Sequence, residues 1–359
     1  METFKELVNV LTNPKILLIF SVVLFAAGLI FIRFFTKPWV AMAIAALSVV
    51  FFAVSTTDDN FMEIISKADN VPIVMMVVLV GFFTWLGMRR AVKNDQLMEA
   101  GEETLERRET KQKVFVWPDL VYTEFLCLIL CTVALIVWSV LLDAPLEEPA
   151  NPTRTPNPSK APWYFLGLQE MLVYYDPWIA GVLLPGLIIV GLMALPYIDI
   201  NPKGNGYYTW NERKFAITIF LFGFLILWVV LIFIGTFLRG PNWNFFGLFE
   251  TWDVAKLEAL VNVNLSEYIY VIIGGGGLPT NPLIRELPGL LLTAGYLFLL
   301  PPILAKTVFR KFYAEMGPVR FNVMIFLFLM MASLPIKMAL RWAFNLKYIV
   351  AFPEYFFNI

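Results

Sequence analysis

The chain has 359 residues, 59% of them hydrophobic and 15% charged, with a formal net charge of −1 and a mean hydropathy of +0.72. That balance lies outside soluble globular compositions and reads as an integral membrane protein. There is no histidine and there are two cysteines. This chain therefore cannot hold a b-type haem between two imidazoles, attach a c-type haem through Cys-x-x-Cys-His, or hold an iron–sulfur cluster on four protein ligands.

Eight apolar runs reach the length of about 20 residues that a helix needs to cross a bilayer. In chain order they are 15–35, 38–56, 72–90, 119–142, 178–198, 215–238, 287–307 and 321–340. Each is continuous, without the alternation of a barrel strand. The predicted fold class is an all-α integral membrane protein with about eight transmembrane helices. The flank of the first run, Arg33, Phe34, Phe35, Thr36, Lys37, offers no small-residue cleavage site, so that helix is expected to stay rather than leave as a signal peptide.

Lys and Arg in short loops mark the cytoplasmic side. The densest cluster, Arg89, Arg90, Lys93, Arg107, Arg108, Lys111 and Lys113, follows the third run and orients the bundle. Arg33 and Lys37, then Lys203, Arg213 and Lys214, then Lys306, Arg310, Lys311 and Arg320 fall on the same side. Both termini and the 143–177 connection then face outward. Lys337, Arg341 and Lys347 are discordant, and an amphipathic surface helix with its charged heads snorkelling to water would accommodate them. The mixed-charge stretch Glu102 to Lys113 reads as a solvated helix.

Cys127 and Cys131 stand four residues apart on the fourth run. Helical spacing puts their Cβ atoms about 5–6 Å apart, beyond the roughly 3.8 Å of a disulfide. They read as small polarizable packing residues, with contact to a neighbouring cofactor as the alternative.

The stretch Pro149 to Glu170 is the most informative. Pro149, Pro152, Pro156 and Pro158, interleaved with Asn151, Thr153, Thr155 and Asn157, favour a shaped loop of extended and turn conformations. It ends in Lys160, Ala161, Pro162, Trp163, Tyr164 and Phe165, and the apolar/polar mix Leu166 to Tyr175 suggests a short amphipathic helix along the interface. Farther on, Gly274 to Gly277 lacks the setting of a phosphate loop and reads as a flexible outer turn. Pro301 and Pro302 predict a kink, and no internal repeat is evident.

These residues resemble the C-terminal half of cytochrome b, called subunit IV where the protein is split. The family's loop signature Pro-Glu-Trp-Tyr appears as Ala161, Pro162, Trp163, Tyr164. Trp117, Pro118, Asp119, Leu120, Val121, Tyr122 is similar to the start of that subunit's first helix, and Pro145 to Phe165 to its connection. Pro196, Tyr197, Ile198, Asp199 and Arg213 through Phe224 resemble the turn and third helix that follow. Roughly residues 114–240 carry the likeness.

The resemblance implies a haem-free subunit of a quinol:cytochrome c oxidoreductase of the bc or bf type, completing the outer quinol-oxidation site. Pro162, Trp163, Tyr164 and Phe165 would line the quinol pocket. The family's loop glutamate, which accepts a proton from the quinol, is replaced by Pro162. Glu170, eight residues on and about 12 Å along a helix, is the first substitute and Asp176 the second, because burial makes a carboxylate a better proton acceptor. Tyr164 would hydrogen-bond a quinol oxygen or a loop carbonyl, so Glu170 and Tyr164 are the candidate catalytic residues. Plainer readings stand beside these: interfacial aromatics and water-facing carboxylates. Glu124, about one turn inside the fourth run, would serve proton delivery to an inner quinone-reducing site, or else snorkel or pair with a lysine.

The expected organisation is a three-helix extension over 1–113, the subunit IV-like domain over 114–240, an outer loop over 241–286 and further membrane helices over 287–359. This chain is expected to ligate no cofactor or metal. A haem-bearing cytochrome b chain, a Rieske-type iron–sulfur protein, a c-type cytochrome, lipid and quinone are the implied partners, in a dimeric or larger complex in a bacterial cytoplasmic membrane, without nucleic acid. The alternatives are a structural anchor of another respiratory complex and a transporter, whose broken helices and internal symmetry are not visible.

Overall fold

A computed structural model of the chain describes residues 2–111, 113–143, 146, 149–203 and 206–359. Pro145, which opens one of the stretches discussed above, lies outside the described residues. The fold is predominantly helical: α1 is Glu2–Leu11, α2 Pro14–Ile30, α3 Pro38–Ser55, α4 Asp59–Ile65, α5 Val71–Glu99 and α6 Leu105–Glu109. Then follow α7 Val121–Leu141, α8 Trp163–Met171, α9 Ile179–Ile198, α10 Lys214–Leu238, α11 Pro282–Lys306 and α12 Arg310–Phe344. Seven helices of the described residues are long and apolar enough to cross a membrane, or eight if the bent pair α1 and α2 forms one span. The chain is a multi-pass membrane protein.

The eight apolar runs are these helices, with shifts that have local causes. The sequence reading missed α1; it meets α2 at 77°. Asn13 makes that corner by accepting from the Lys15 amide at 3.2 Å, and Pro14 supplies the fixed φ of a first helical residue. α5 continues past the expected end at 90 because Arg89 to Glu99 is rich in strong helix formers. α12 begins earlier than expected and is interrupted at Gly317, whose φ of +74° suits glycine just ahead of Pro318. In α11, Pro301 and Pro302 follow a stretch of wide helical turns, Gly295–Leu299, which absorbs the missing amide donors.

The expected surface helix for Lys337, Arg341 and Lys347 is not formed. Lys337 and Arg341 belong to the last turns of α12, and Lys347 follows the left-handed Asn345 that ends it. Lys337 does not snorkel: its side chain is 3% exposed and its ammonium donates to the Lys347 carbonyl at 2.9 Å. A cation with a carbonyl acceptor and two tyrosine faces, Tyr175 at 5.6 Å and Tyr348 at 6.0 Å, can be buried without reaching water.

The chain divides into two compact units. One comprises Met1–Trp163, Gly204–Val229 and Thr236–Val254. Its N-terminal part is fastened by Phe61 stacked on Phe249 at 5.5 Å, by the Phe249 amide donating to Asn9 at 3.0 Å, and by Lys5 paired with Asp58 at 2.6 Å. At the other end of α5, buried Asp95 accepts from the Thr209 hydroxyl at 2.6 Å and from the amides of Trp210 and Asn211 at 3.2 and 3.0 Å. Neighbouring Asn94 donates to the Tyr208 carbonyl and to Glu106, and accepts from the Leu105 amide. The stretch from Glu102 to Lys111 carries the short helix α6 and surface pairs Arg108–Glu102 and Lys111–Glu103.

The other unit comprises Tyr164–Lys203, Val230–Gly235 and Ala255–Ile359. Part of its core is Ala305, Met316, Phe321, Ile325 and Leu329, with Ile198, Tyr296 and Phe328 against them. Its C-terminal strap folds as a small hairpin, β1 Ala351–Phe352 against β2 Phe357–Asn358. Buried Glu286 accepts the Ala351 amide at 2.9 Å, and Arg285 bridges Glu286 and Glu354.

Candidate functional site

The proline-rich loop is pinned within its own unit. Asn151 accepts from both the amide and the hydroxyl of Thr153, at 3.0 and 2.8 Å, closing a local turn. Asn157 and Asn242 bond reciprocally: the Asn157 amide group donates to Asn242 Oδ1 at 2.9 Å, and the Asn242 backbone donates to Asn157 Oδ1 at 2.6 Å. Asn242 has φ +57°, a conformation that asparagine tolerates better than most residues, and its side chain donates onward to the Val254 carbonyl at 2.9 Å. Lys160 donates to the Thr236 carbonyl at 2.7 Å and lies 4.7 Å from the ring of Trp252.

In the same unit, buried Arg239 places its guanidinium 3.6 Å from the Phe245 ring and donates to the Trp243 carbonyl at 2.5 Å. A Cβ on Gly240 would lie 2.6 Å from the Phe246 ring, which would have to shift to admit it. The sequence reading took 241–286 as an outer loop and singled out neither these aromatics nor Arg239 and Gly240, which it placed at the end of the 114–240 domain. The available signal was the aromatic density of Trp243, Phe245, Phe246, Phe249 and Trp252, unusual for a solvated connection.

The helix that follows the loop, α8, is as short as expected, and its faces are sharply divided. Leu166, Gly167, Glu170 and Met171 are buried, and Tyr174 and Tyr175 continue the same stripe. Tyr164 and Phe165 are on the exposed side, 47% and 50% exposed, with ring centroids 4.8 Å apart. Pro162 is exposed and Trp163 half-buried. Glu170 is 0% exposed. The structure thus brings Tyr164 and Phe165 together and places Glu170 on the opposite face of the helix.

Beyond α8 the buried stripe is held by polar contacts. The Tyr175 and Ser333 hydroxyls are 2.6 Å apart, Lys347 donates to the Val173 carbonyl at 3.1 Å, and Asn358 donates to Asp176 at 2.8 Å. Burial pushes the Tyr175 phenol well above its ordinary value, against the opposing bond to Ser333. Burial, with Arg341 nearby, lowers the Lys347 ammonium, and Asp176 offsets part of this. Asp176 is therefore half-buried and engaged rather than free in water.

Glu124 is exposed on α7, a helix with no buried residue. Cys127 and Cys131 are free thiols on the same helix with sulfurs 3.9 Å apart. Among the described residues, no three His, Cys, Asp or Glu side chains converge to hold a metal ion. Helix α8 thus carries an exposed aromatic pair and a carboxylate withdrawn from water.

Residues 149–251 match the family model described as cytochrome b (C-terminal)/b6/petD. The match opens at Pro149 and takes in the loop, α8 and the pinning segment up to Thr251. No solved structure matches the chain.

Proposed function

We propose, on the premise that residues 149–251 belong to the cytochrome b C-terminal family, that this chain is a haem-free subunit of a bc-type quinol:cytochrome c oxidoreductase and completes its outer quinol-oxidation site. The observation that carries the reading is that the family match falls on the loop and on α8, the stretch whose residues resemble the quinol loop.

Oxidation of a quinol to a quinone releases two electrons and two protons. With no histidine in the chain, the electrons leave through partners: a haem-bearing cytochrome b chain, a Rieske-type iron–sulfur protein and a c-type cytochrome. What this chain supplies is shape and proton handling. Tyr164 and Phe165 present aromatic surface to a quinol ring, and the Tyr164 hydroxyl orients a quinol oxygen. Pro162 cannot take a proton, so we assign that role to Glu170, the one carboxylate on α8, which stands on the face opposite Tyr164 and would receive the proton by relay rather than directly from the quinol oxygen that Tyr164 orients. The complex would sit in a bacterial cytoplasmic membrane with the loop facing outward.

A second reading, a structural anchor that has lost quinol chemistry, draws on Pro162 at the glutamate position and on the burial of Glu170. Purification through a tag on this chain, with the dithionite-reduced spectrum and subunit composition, is the first test. Co-purifying b-type haem is expected; a haem-free preparation overturns the bc-type reading. In the haem-bearing complex, Glu170→Gln is expected to slow quinol turnover about a hundredfold or more, the range for losing an acid–base group, and Tyr164→Phe up to about tenfold, for losing one orienting hydrogen bond, each with haem content unchanged. Wild-type turnover in both variants, or in a complex lacking this chain, favours the anchor.

A further inference from the structure

Lys337, Arg341 and Lys347 gather three basic side chains at the end of a membrane-length helix. Spacing of four residues puts Lys337 and Arg341 on one face of α12, and Lys337 is tied to Lys347 through the latter's carbonyl. Every polar contact of the three goes to a neutral acceptor: Lys337 to the Lys347 carbonyl, Arg341 to those of Val261 and Asn345 at 3.1 and 3.0 Å, and Lys347 to that of Val173. No carboxylate of the described residues lies within ion-pair distance of any of them. The acid that Lys347 senses, Asp176, already accepts from Asn358.

Three clustered basic groups without a counter-charge disfavour one another's charged forms and bear a desolvation cost that carbonyl dipoles and the helix C-terminus only partly offset. They also keep donors in reserve. Each lysine bonds through one of its three N–H groups, and Arg341 uses Nη1 alone, leaving Nε and Nη2. Lys337 is 3% exposed, whereas Arg341 and Lys347 are half-buried, so the cluster has a closed floor and an open side. Exposed apolar groups flank it, Phe344 on the helix and Leu260 and Val261 on the neighbouring strand of chain.

We propose that Lys337, Arg341 and Lys347 form a binding site for the phosphate of an anionic phospholipid headgroup. A phosphodiester supplies the missing negative charge and accepts the spare N–H groups, with Arg341 suited to two parallel bonds. The lipid, rather than a free anion, is the source because the cluster ends a span and stands beside exposed apolar surface that its acyl chains can cover. This inference is independent of the quinol reading.

The test uses the full chain, in its purified complex, in nanodiscs of phosphatidylcholine alone or with phosphatidylglycerol. Native mass spectrometry reads the bound lipid, and thermal unfolding reads the stabilisation. Retention of phosphatidylglycerol at least about fivefold above phosphatidylcholine is expected, with a rise in Tm, and both effects should fall away in Lys347→Gln and Arg341→Gln. Equal retention of the two lipids, or a preference unchanged in both variants, overturns the site. Inorganic phosphate in detergent reproducing the whole Tm rise, without lipid preference in nanodiscs, overturns the lipid assignment in favour of a free anion. Lys347→Gln leaves α12 intact, so it separates ligand loss from misfolding.

Discussion

Lys160 and Thr236 are joined across 76 residues of chain by one hydrogen bond of 2.7 Å, from ammonium to backbone carbonyl. The bond anchors the proline loop just before Pro162. Replacing Lys160 by Met removes it and the stacking on Trp252 while keeping much of the side-chain bulk. The cost expected is about 1.5–3 kcal/mol for a hydrogen bond to a charged group. Limited proteolysis should show new cleavage within 149–163 and none in the C-terminal strap; an unchanged digestion pattern would sink the anchoring role.

Asn242 tests the same pinning from the other side. Its positive φ tolerates glycine, but its bonds to Asn157 and Val254 do not survive the change. Asn242→Gly therefore isolates the hydrogen bonds, whereas Asn242→Ala adds the strain of a left-handed residue, about 1 kcal/mol more. Thermal unfolding should rank the wild type above the glycine variant and that above alanine. Combining Asn157→Ala with Asn242→Gly should cost less than the sum of the two changes, because they share bonds.

The junction of α1 and α4 should respond to acid. Burial disfavours the Asp58 carboxylate, yet the Lys5 ammonium at 2.6 Å and the Phe61 amide at 2.9 Å outweigh that and hold its pKa below the ordinary value. A carboxyl lowered in the folded state contributes stability that is complete above the unfolded value near pH 4. It is lost as pH falls through the folded value. Hydrogen exchange over residues 2–11 and 59–65 should accelerate in that window in the wild type. Asp58→Asn, which keeps the helix cap, should flatten the dependence; a dependence of unchanged size would assign it elsewhere.

Gly289 sits where the C-terminal strap crosses α11. A Cβ there would collide with the Ile349 carbonyl oxygen, whereas one on Gly295 would meet nothing within 4 Å. Gly289→Ala is expected to cost about 1–3 kcal/mol through overpacking and to expose residues 349–359 to carboxypeptidase. Gly295→Ala, in the same helix, should be neutral or slightly stabilising, and equal behaviour of the two variants would refute the contact.

The membrane helices were legible because each apolar run is long and unbroken, a signal that local order alone produces. α1 was not, since ten residues before a corner are too short to cross a bilayer and the corner depends on Asn13 and Pro14 together. The loop at Pro149 was legible from its prolines, but what pins it was not: Lys160 meets Thr236, and Asn157 meets Asn242, over separations that leave no local pattern. The division of α8 was within reach. Leu166, Glu170 and Tyr174 recur every four residues, and that stripe sets Glu170 apart from Tyr164 before any coordinates are known. Lys337 misled because the trio Lys337, Arg341 and Lys347 was expected to seek water together, when a carbonyl and two rings can hold Lys337 inside.

Asp95 gives the first 113 residues a meaning beyond added membrane anchorage. Its carboxylate receives the donors of Thr209, Trp210 and Asn211, the turn that immediately precedes Lys214 at the head of α10. A chain begun after residue 113 would start that helix from a turn with three donors left to water. Helix α5 thus behaves as a template for a stretch inside the cytochrome b C-terminal match, and excising it would change how that stretch is held.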